Sequence, residues 1–272
     1  MNRTLRIALP VAALVIGILG YAGYQYFIVV DSPDEITTEA GLEQLSEDLA
    51  EEDAGAEVSA DPGTDEVAAG DEVADATTDE VADAPAGVTG TWTVDDDFGD
   101  FAFENASGSF AGFRVDKELF VGGTQVAVGR SGDVTGSISI ADGTVSGGEV
   151  VVVMSSLESD IPARTGAVLD AVSADEFDTA TFVISPGAAI DTAALASGET
   201  VAAEISGDLT IAGVTNTVTV AAEATVAEAG IALIVGSTDL TWADFGIDTP
   251  SSSAGEVADD GVLEFQLIVR LG

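Results

Sequence analysis

The sequence predicts an all-β domain over residues 91–272. Apolar and polar residues alternate there with a period of two, glycine and Asp-Gly turn signals separate the alternating runs, and both tryptophans and ten of the eleven phenylalanines fall in this region. Ile205, Gly207, Leu209 and Ile211 alternate with Glu204, Ser206, Asp208 and Thr210. Leu263, Phe265, Leu267, Val269 and Leu271 do the same against Glu264, Gln266 and Arg270. Further strand-like runs lie at 136–140, 149–154, 181–185, 215–222 and 231–236, and Asp142-Gly143 reads as a hairpin turn. Eight or more one-sided antiparallel strands must curl over their apolar face as a barrel or pair as a sandwich.

The segments ahead of this domain obey different physics. Residues 1–6 carry Arg3 and Arg6, and Ile7 to Val30 is apolar apart from Gln25. As a helix this run would measure about 36 Å, enough to cross a hydrocarbon core of roughly 30 Å. Tyr21, Tyr24 and Tyr26 near its far end suit the lipid–water interface, and the preceding arginines place residues 1–6 in the cytoplasm. The run exceeds the roughly 7–15 residues of a signal-peptide core, so an uncleaved signal-anchor over 7–30 is expected; the alternative is cleavage near Gly20 and Ala22. Residues 31–90 hold 20 acidic side chains, no Lys or Arg and no aromatic residue, with DEVA repeated at 65–68, 71–74 and 79–82. Such a stretch repels itself and reads as a disordered acidic linker. One short helix, marginal alone, is expected around 38–49, where Leu42, Leu45 and Leu49 share a face.

Composition excludes many activities. With 49 acidic and 7 basic residues the chain has a net charge of −42, which opposes nucleic-acid binding through a basic face. The absence of cysteine and histidine removes disulfides, thiolate nucleophiles, Ser-His-Asp triads and His or Cys metal sites. Paired carboxylates remain, for example Asp95, Asp96, Asp97, Asp100, Asp175, Glu176, Asp178, Asp259 and Asp260, but 29 acids in one domain cluster by chance. The chain is therefore expected to be no enzyme, with no metal and no cofactor. Ten phenylalanines and no tyrosine in the domain suggest either a filled core or an apolar pocket, since an eight-stranded barrel is just wide enough for one of the two.

The order of short motifs adds to this. Thr91-Trp92-Thr93-Val94-Asp95 is followed by Gly112-Phe113-Arg114-Val115, Val128-Gly129-Arg130, Val134-Thr135-Gly136-Ser137-Ile138, and Leu157-Glu158-Ser159-Asp160 with Arg164. Glu176-Phe177 then leads to Ala180-Thr181-Phe182, and the series ends with residues 207–215 and Trp242-Ala243-Asp244-Phe245-Gly246-Ile247. In this succession the domain resembles the YceI-like polyisoprenoid-binding family, in a membrane-anchored form. Thr165, Asp178 and Ala212 depart from the family's habits. The resemblance implies a lipocalin-like antiparallel β-barrel of about eight strands, exported from the cytoplasm, whose interior takes a long isoprenoid or similar lipid.

On parity and resemblance together, the candidate apolar lining is Phe101, Phe103, Phe110, Phe113, Phe182, Ile184, Leu209, Ile211, Trp242, Phe245 and Phe265. Arg130 and Arg164, rare cations in an acidic domain, are the candidate head-group contacts, with a structural ion pair as the other reading of each. The expected partners are a long-chain lipid or polyprenyl ligand and the cytoplasmic membrane, crossed once with the C-terminal domain outside. The rival class is an envelope-spacing immunoglobulin-like sandwich with a solid core and no ligand.

Overall fold

The computed structural model describes residues 32–57, 87–95, 98–104, 107–120, 122–228, 230–249 and 255–272. The proposed anchor over 7–30 and the DEVA repeats lie outside them. Among the described residues no helix is long and apolar enough to cross a membrane.

The domain is a closed antiparallel barrel. In chain order its strands are β1 (Gly90–Val94), β2 (Phe110–Leu119), β3 (Gly123–Ser131), β4 (Val134–Ala141), β5 (Thr144–Val153), β6 (Glu158–Ser159), β7 (Thr179–Ile184), β8 (Val201–Ile211), β9 (Val214–Glu228), β10 (Ile231–Thr241) and β11 (Gly255–Leu271). Eight of them form the ring β1-β4-β5-β7-β8-β9-β10-β11, which closes because β1 pairs with both β4 and β11. That closure overturns the sandwich alternative.

β11, with 17 residues, is the longest strand and holds the two ends of the molecule together. Its C-terminal end meets β1 at Trp92↔Leu271. Its N-terminal part instead pairs with β2, from Gly255↔Leu119 to Gln266↔Phe110. β3 and β6 follow β2 outward, so the barrel flares at this end. Two helices close the ends. α3 (Thr192–Ala196), capped by the Asp191 side chain, which accepts from the amides of Ala193 and Ala194, drives Leu195 into the narrow end. α2 (Pro162–Ala171) lies over the flared end.

The hairpin turns follow the sequence closely. Asp142-Gly143 joins β4 to β5 with φ of 51° and 74°, and Ala212-Gly213 joins β8 to β9 with 50° and 75°. Two successive left-handed residues give the primed turn whose twist matches the flanking strands.

Residues 32–57 are more ordered than their composition predicts. A helix, α1 (Thr38–Glu57), runs well past Leu49, with the Thr37 hydroxyl accepting from the amide of Ala40 at its start. It packs on the outside of the barrel, where Leu45, 1% exposed, joins Ile36, Leu42 and Leu49 against Ile231, Leu233, Val235 and Ile268. This explains the continuous apolar run at 231–235. Ile234 faces the interior, while Ile231, Leu233 and Val235 face the helix, so β10 is covered on both sides. The linker reading of 31–90 is thereby corrected for 32–57: tertiary packing supplies the apolar partner that the segment lacks by itself.

Because such a helix is marginal alone, its docking rests on few side chains. Leu45→Ala should remove about 2–5 kcal/mol of packing. Hydrogen exchange should then show residues 38–50 losing protection while the barrel strands keep theirs; unchanged protection of 38–50 would contradict this.

Candidate functional site

Two adjoining cavities occupy the interior, one of about 150 Å³ in the closed ring and one of about 260 Å³ in the flared end. They share Ala111, Val152, Ala180 and Leu263 as common wall. The first is walled by inward residues at alternate positions, including Ala203 and Ile205 of β8 and Ala222 and Ala224 of β9. Alanine at these positions leaves space that larger aliphatic side chains would fill. Even at the roughly 30 Å³ a water occupies in the liquid, the two cavities together admit a chain of at least about a dozen carbons.

The aromatic side chains do not plug this space, and the reason lies on neighbouring strands. Phe113, Phe182, Phe265 and Trp242 each lie across a glycine. A Cβ on Gly129 would fall 2.4 Å from the ring of Phe113, on Gly207 2.6 Å from Phe182, on Gly236 2.5 Å from Phe265, and on Gly261 2.3 Å from Trp242. Without a side chain beneath it, each ring flattens against the wall instead of projecting into the lumen.

The structure divides the candidate lining residues. Phe182, Ile184, Leu209 and Phe265 line the first cavity, and Phe113, Ile211 and Trp242 line the second. Phe101, Phe103, Phe110 and Phe245 stand elsewhere, which corrects the expectation for these four. On β2, parity turns Ala111, Phe113, Val115 and Lys117 inward and leaves Phe110 on the outer face. There the rings of Phe110 and Phe103 lie 4.8 and 5.7 Å from the guanidinium carbon of Arg130, and Phe101 lies 5.9 Å from Phe110. Phe245 is buried in the cluster around Leu240, Trp242 and Ile247, at the 3₁₀ turn 242–245.

Arg130 is likewise corrected as a head-group contact. It alternates with Gly129 on β3, faces outward, and is 0% exposed. Its Nε and Nη2 donate to Glu264 Oε1 at 3.1 and 2.9 Å, and Nη1 donates to the carbonyl of Phe103 at 2.9 Å. With Arg114 it also holds the carbonyl of Asp34. The group is a structural ion pair under an aromatic cover.

Arg164 does reach the second cavity. It projects from α2, whose Arg164, Ala167, Val168 and Ala171 form one face over the space. Its Nη1 donates to both oxygens of Asp160 at 3.3 and 3.2 Å, leaving the cation held at the rim. Lys117, the only lysine of the chain, lines the same cavity. Burial pulls the Lys117 pKa below its usual value, the Arg164 charge lowers it further, and Asp160 opposes both. Sequence reasoning missed Lys117, although its inward parity with Phe113 and Val115 was the available signal. Trp242 adds a buried indole N–H in this wall, with no acceptor among the described residues. Neither cavity is lined by an Asp or Glu, and the described residues contain no cluster of acids able to hold a metal ion.

The YceI-like domain matches residues 101–269, more than half of the chain. The chain belongs to the YceI-like family. No curated protein matches it. Among solved structures it is similar to a polyisoprenoid binding domain from Saccharophagus degradans implicated in plant cell wall breakdown, at 20% identity and a TM-score of 0.48, covering 60% of this chain and 94% of that one. BcnA of Burkholderia cenocepacia is similar at 21% identity and a TM-score of 0.44, covering 59% and 94%. A YceI protein of Campylobacter jejuni is similar at 17% identity and 0.41, covering 53% and 84%. The YceI-like barrel is thus the unit that carries both cavities.

Proposed function

We propose that this YceI-like protein binds a long-chain isoprenoid or similar amphiphile without catalysis and exchanges it with the outer face of the cytoplasmic membrane. The observation that carries the reading is the pair of adjoining hollow cavities, walled by aliphatic and aromatic side chains, with Lys117 and Arg164 at one end. The apolar tail fills the interior, and the polar end lies by these two cations and the Trp242 N–H.

Magnitudes favour exchange over storage. At about 0.8 kcal/mol per methylene, a chain of some tens of carbons would gain over ~20 kcal/mol against water, which is past the practical ceiling of affinity. Against a bilayer this gain nearly cancels. A protein that takes its ligand from lipid and returns it there needs no such depth of binding, and an N-terminal anchor keeps it within reach.

The test is organic extraction of the purified chain followed by mass spectrometry. A prenyl or other long-chain lipid should recur at up to one molecule per chain. Repeated preparations without lipid, together with no uptake of an added polyprenol, would end the proposal.

A further inference from the structure

The flared end of the barrel, and not the narrow end, carries the features of a membrane-facing surface. Residues 32–34 are tied to that end. The Ser32 hydroxyl bonds the carbonyl of Val126 and Asp160 Oδ2, the carboxylate that also holds Arg164. Arg114 holds the carbonyls of Pro33 and Asp34. The apolar run ends at Val30, two residues before Ser32. Ser32, the first of the described residues, therefore stands beside the rim of the second cavity.

Three other observations coincide there. Phe120, 64% exposed, is the most exposed large apolar residue among those described, and it stands at the turn between β2 and β3. Lys117 is three residues before it, directly paired with Gln125, which accepts from Arg164 at 3.5 Å. Of the domain's other cations, Arg114 and Arg130 are turned to Glu264 beneath residues 33 and 34, and Arg270 pairs with Asp95 at the far end of β11. Among the described residues, the two cations that line these cavities therefore lie at the same end as an exposed phenylalanine and Ser32.

We infer that this end docks on a lipid bilayer: the β2–β3 turn inserts Phe120 among the head groups, Lys117 and Arg164 face lipid phosphates, and the second cavity opens onto the membrane. The inference rests on the anchor reading of residues 7–30. It makes the flared cavity the entry for lipid and the Leu195 end the closed bottom.

The chain has no cysteine, so a single one can be placed at will. Phe120→Cys and, at the opposite end, Ser146→Cys are made in the full chain, labelled with a polarity-sensitive fluorophore, and incorporated in phosphatidylcholine–phosphatidylglycerol vesicles with or without brominated lipid. Ser146 lies by the β4–β5 turn, where Val145 faces Ile140 and Ile140 faces Gly90, so β1 and the end of β11 separate it from Phe120. The expected result is quenching at 120 about twofold or more above that at 146. Vesicle-bound protein with equal or greater quenching at 146 would overturn the docking alone. Protein that does not float with vesicles would overturn the anchor reading and the docking together; lipid extraction from the same samples reports on the cavity independently.

Discussion

Arg130→Ala should lower the stability of the barrel by about 3–5 kcal/mol, the usual cost of stranding one member of a buried ion pair. For a domain of this size that corresponds to a fall in Tm of roughly 6–20 °C. Removing the guanidinium leaves Glu264 buried with only Arg114 facing it, at 3.6 Å, and empties the space between Phe103 and Phe110. It also deletes a donor to the carbonyl of Phe103, which holds the 98–109 loop over the outer face of β2 and β3. Arg270→Ala is the internal comparison. Arg270 is 52% exposed and its bond to Asp95 is in contact with solvent, so the change should cost less than about 1 kcal/mol. Thermal unfolding followed by tryptophan fluorescence separates the two. Arg130→Met combined with Glu264→Leu should recover part of the loss, because the one charge that then lacks its carboxylate, on Arg114, still donates to the carbonyls of Pro33 and Asp34. Equal small losses for Arg130→Ala and Arg270→Ala would show that the buried pair does not hold the loop.

The difference between these two arginines marks where the sequence stops being informative. Glu264, Gln266 and Arg270 all occupy the polar positions of one alternating strand, and alternation alone assigns all three to a solvated face. Only Arg270 is solvated. Glu264 and Gln266 are buried, because the 98–109 loop and the strap at 32–37 cover that part of the sheet from outside. Period-two patterning reports which side of a strand a residue is on; it does not report what a distant loop lays over that side.

Strand identity, by contrast, was legible wherever the inner face is lined and the outer face open, as along β8, where the burial of Leu209 and Ile211 alternates with exposed Asp208. Phe110 could have been placed from parity as well, since it stands three positions before Phe113 and an odd spacing sets them on opposite faces of β2. The hollow interior could not. It depends on register, such as Phe113 standing directly across from Gly129 and Phe265 from Gly236, which no local pattern specifies. The docking of α1 was half legible: the leucine spacing was visible, and the two-sided run at 231–235 was its unrecognised counterpart.

Ala180→Trp should weaken the binding of long chains more than tenfold while sparing the fold. Ala180 belongs to the wall shared by both cavities and pairs with Val152, another shared residue. An indole at this position enters space that is empty of side chains, so the overpacking cost of about 1–3 kcal/mol that a filled core would impose is largely avoided. The change separates the narrow chamber from the flared one. A ligand that threads both must then give up the methylenes in the chamber it can no longer enter. At about 0.8 kcal/mol each, losing three already weakens binding of a soluble long-chain probe more than tenfold. A short probe that fits the flared chamber alone should keep most of its affinity, since Phe113, Trp242, Lys117 and Arg164 are untouched. Titration of the variant with fluorescent fatty probes of increasing length measures this directly. Affinity in the native chain should rise with length and in the variant should level off. Parallel curves for the two would mean that the chambers do not hold one continuous guest, and that the junction at Ala180 is a wall in the native protein too.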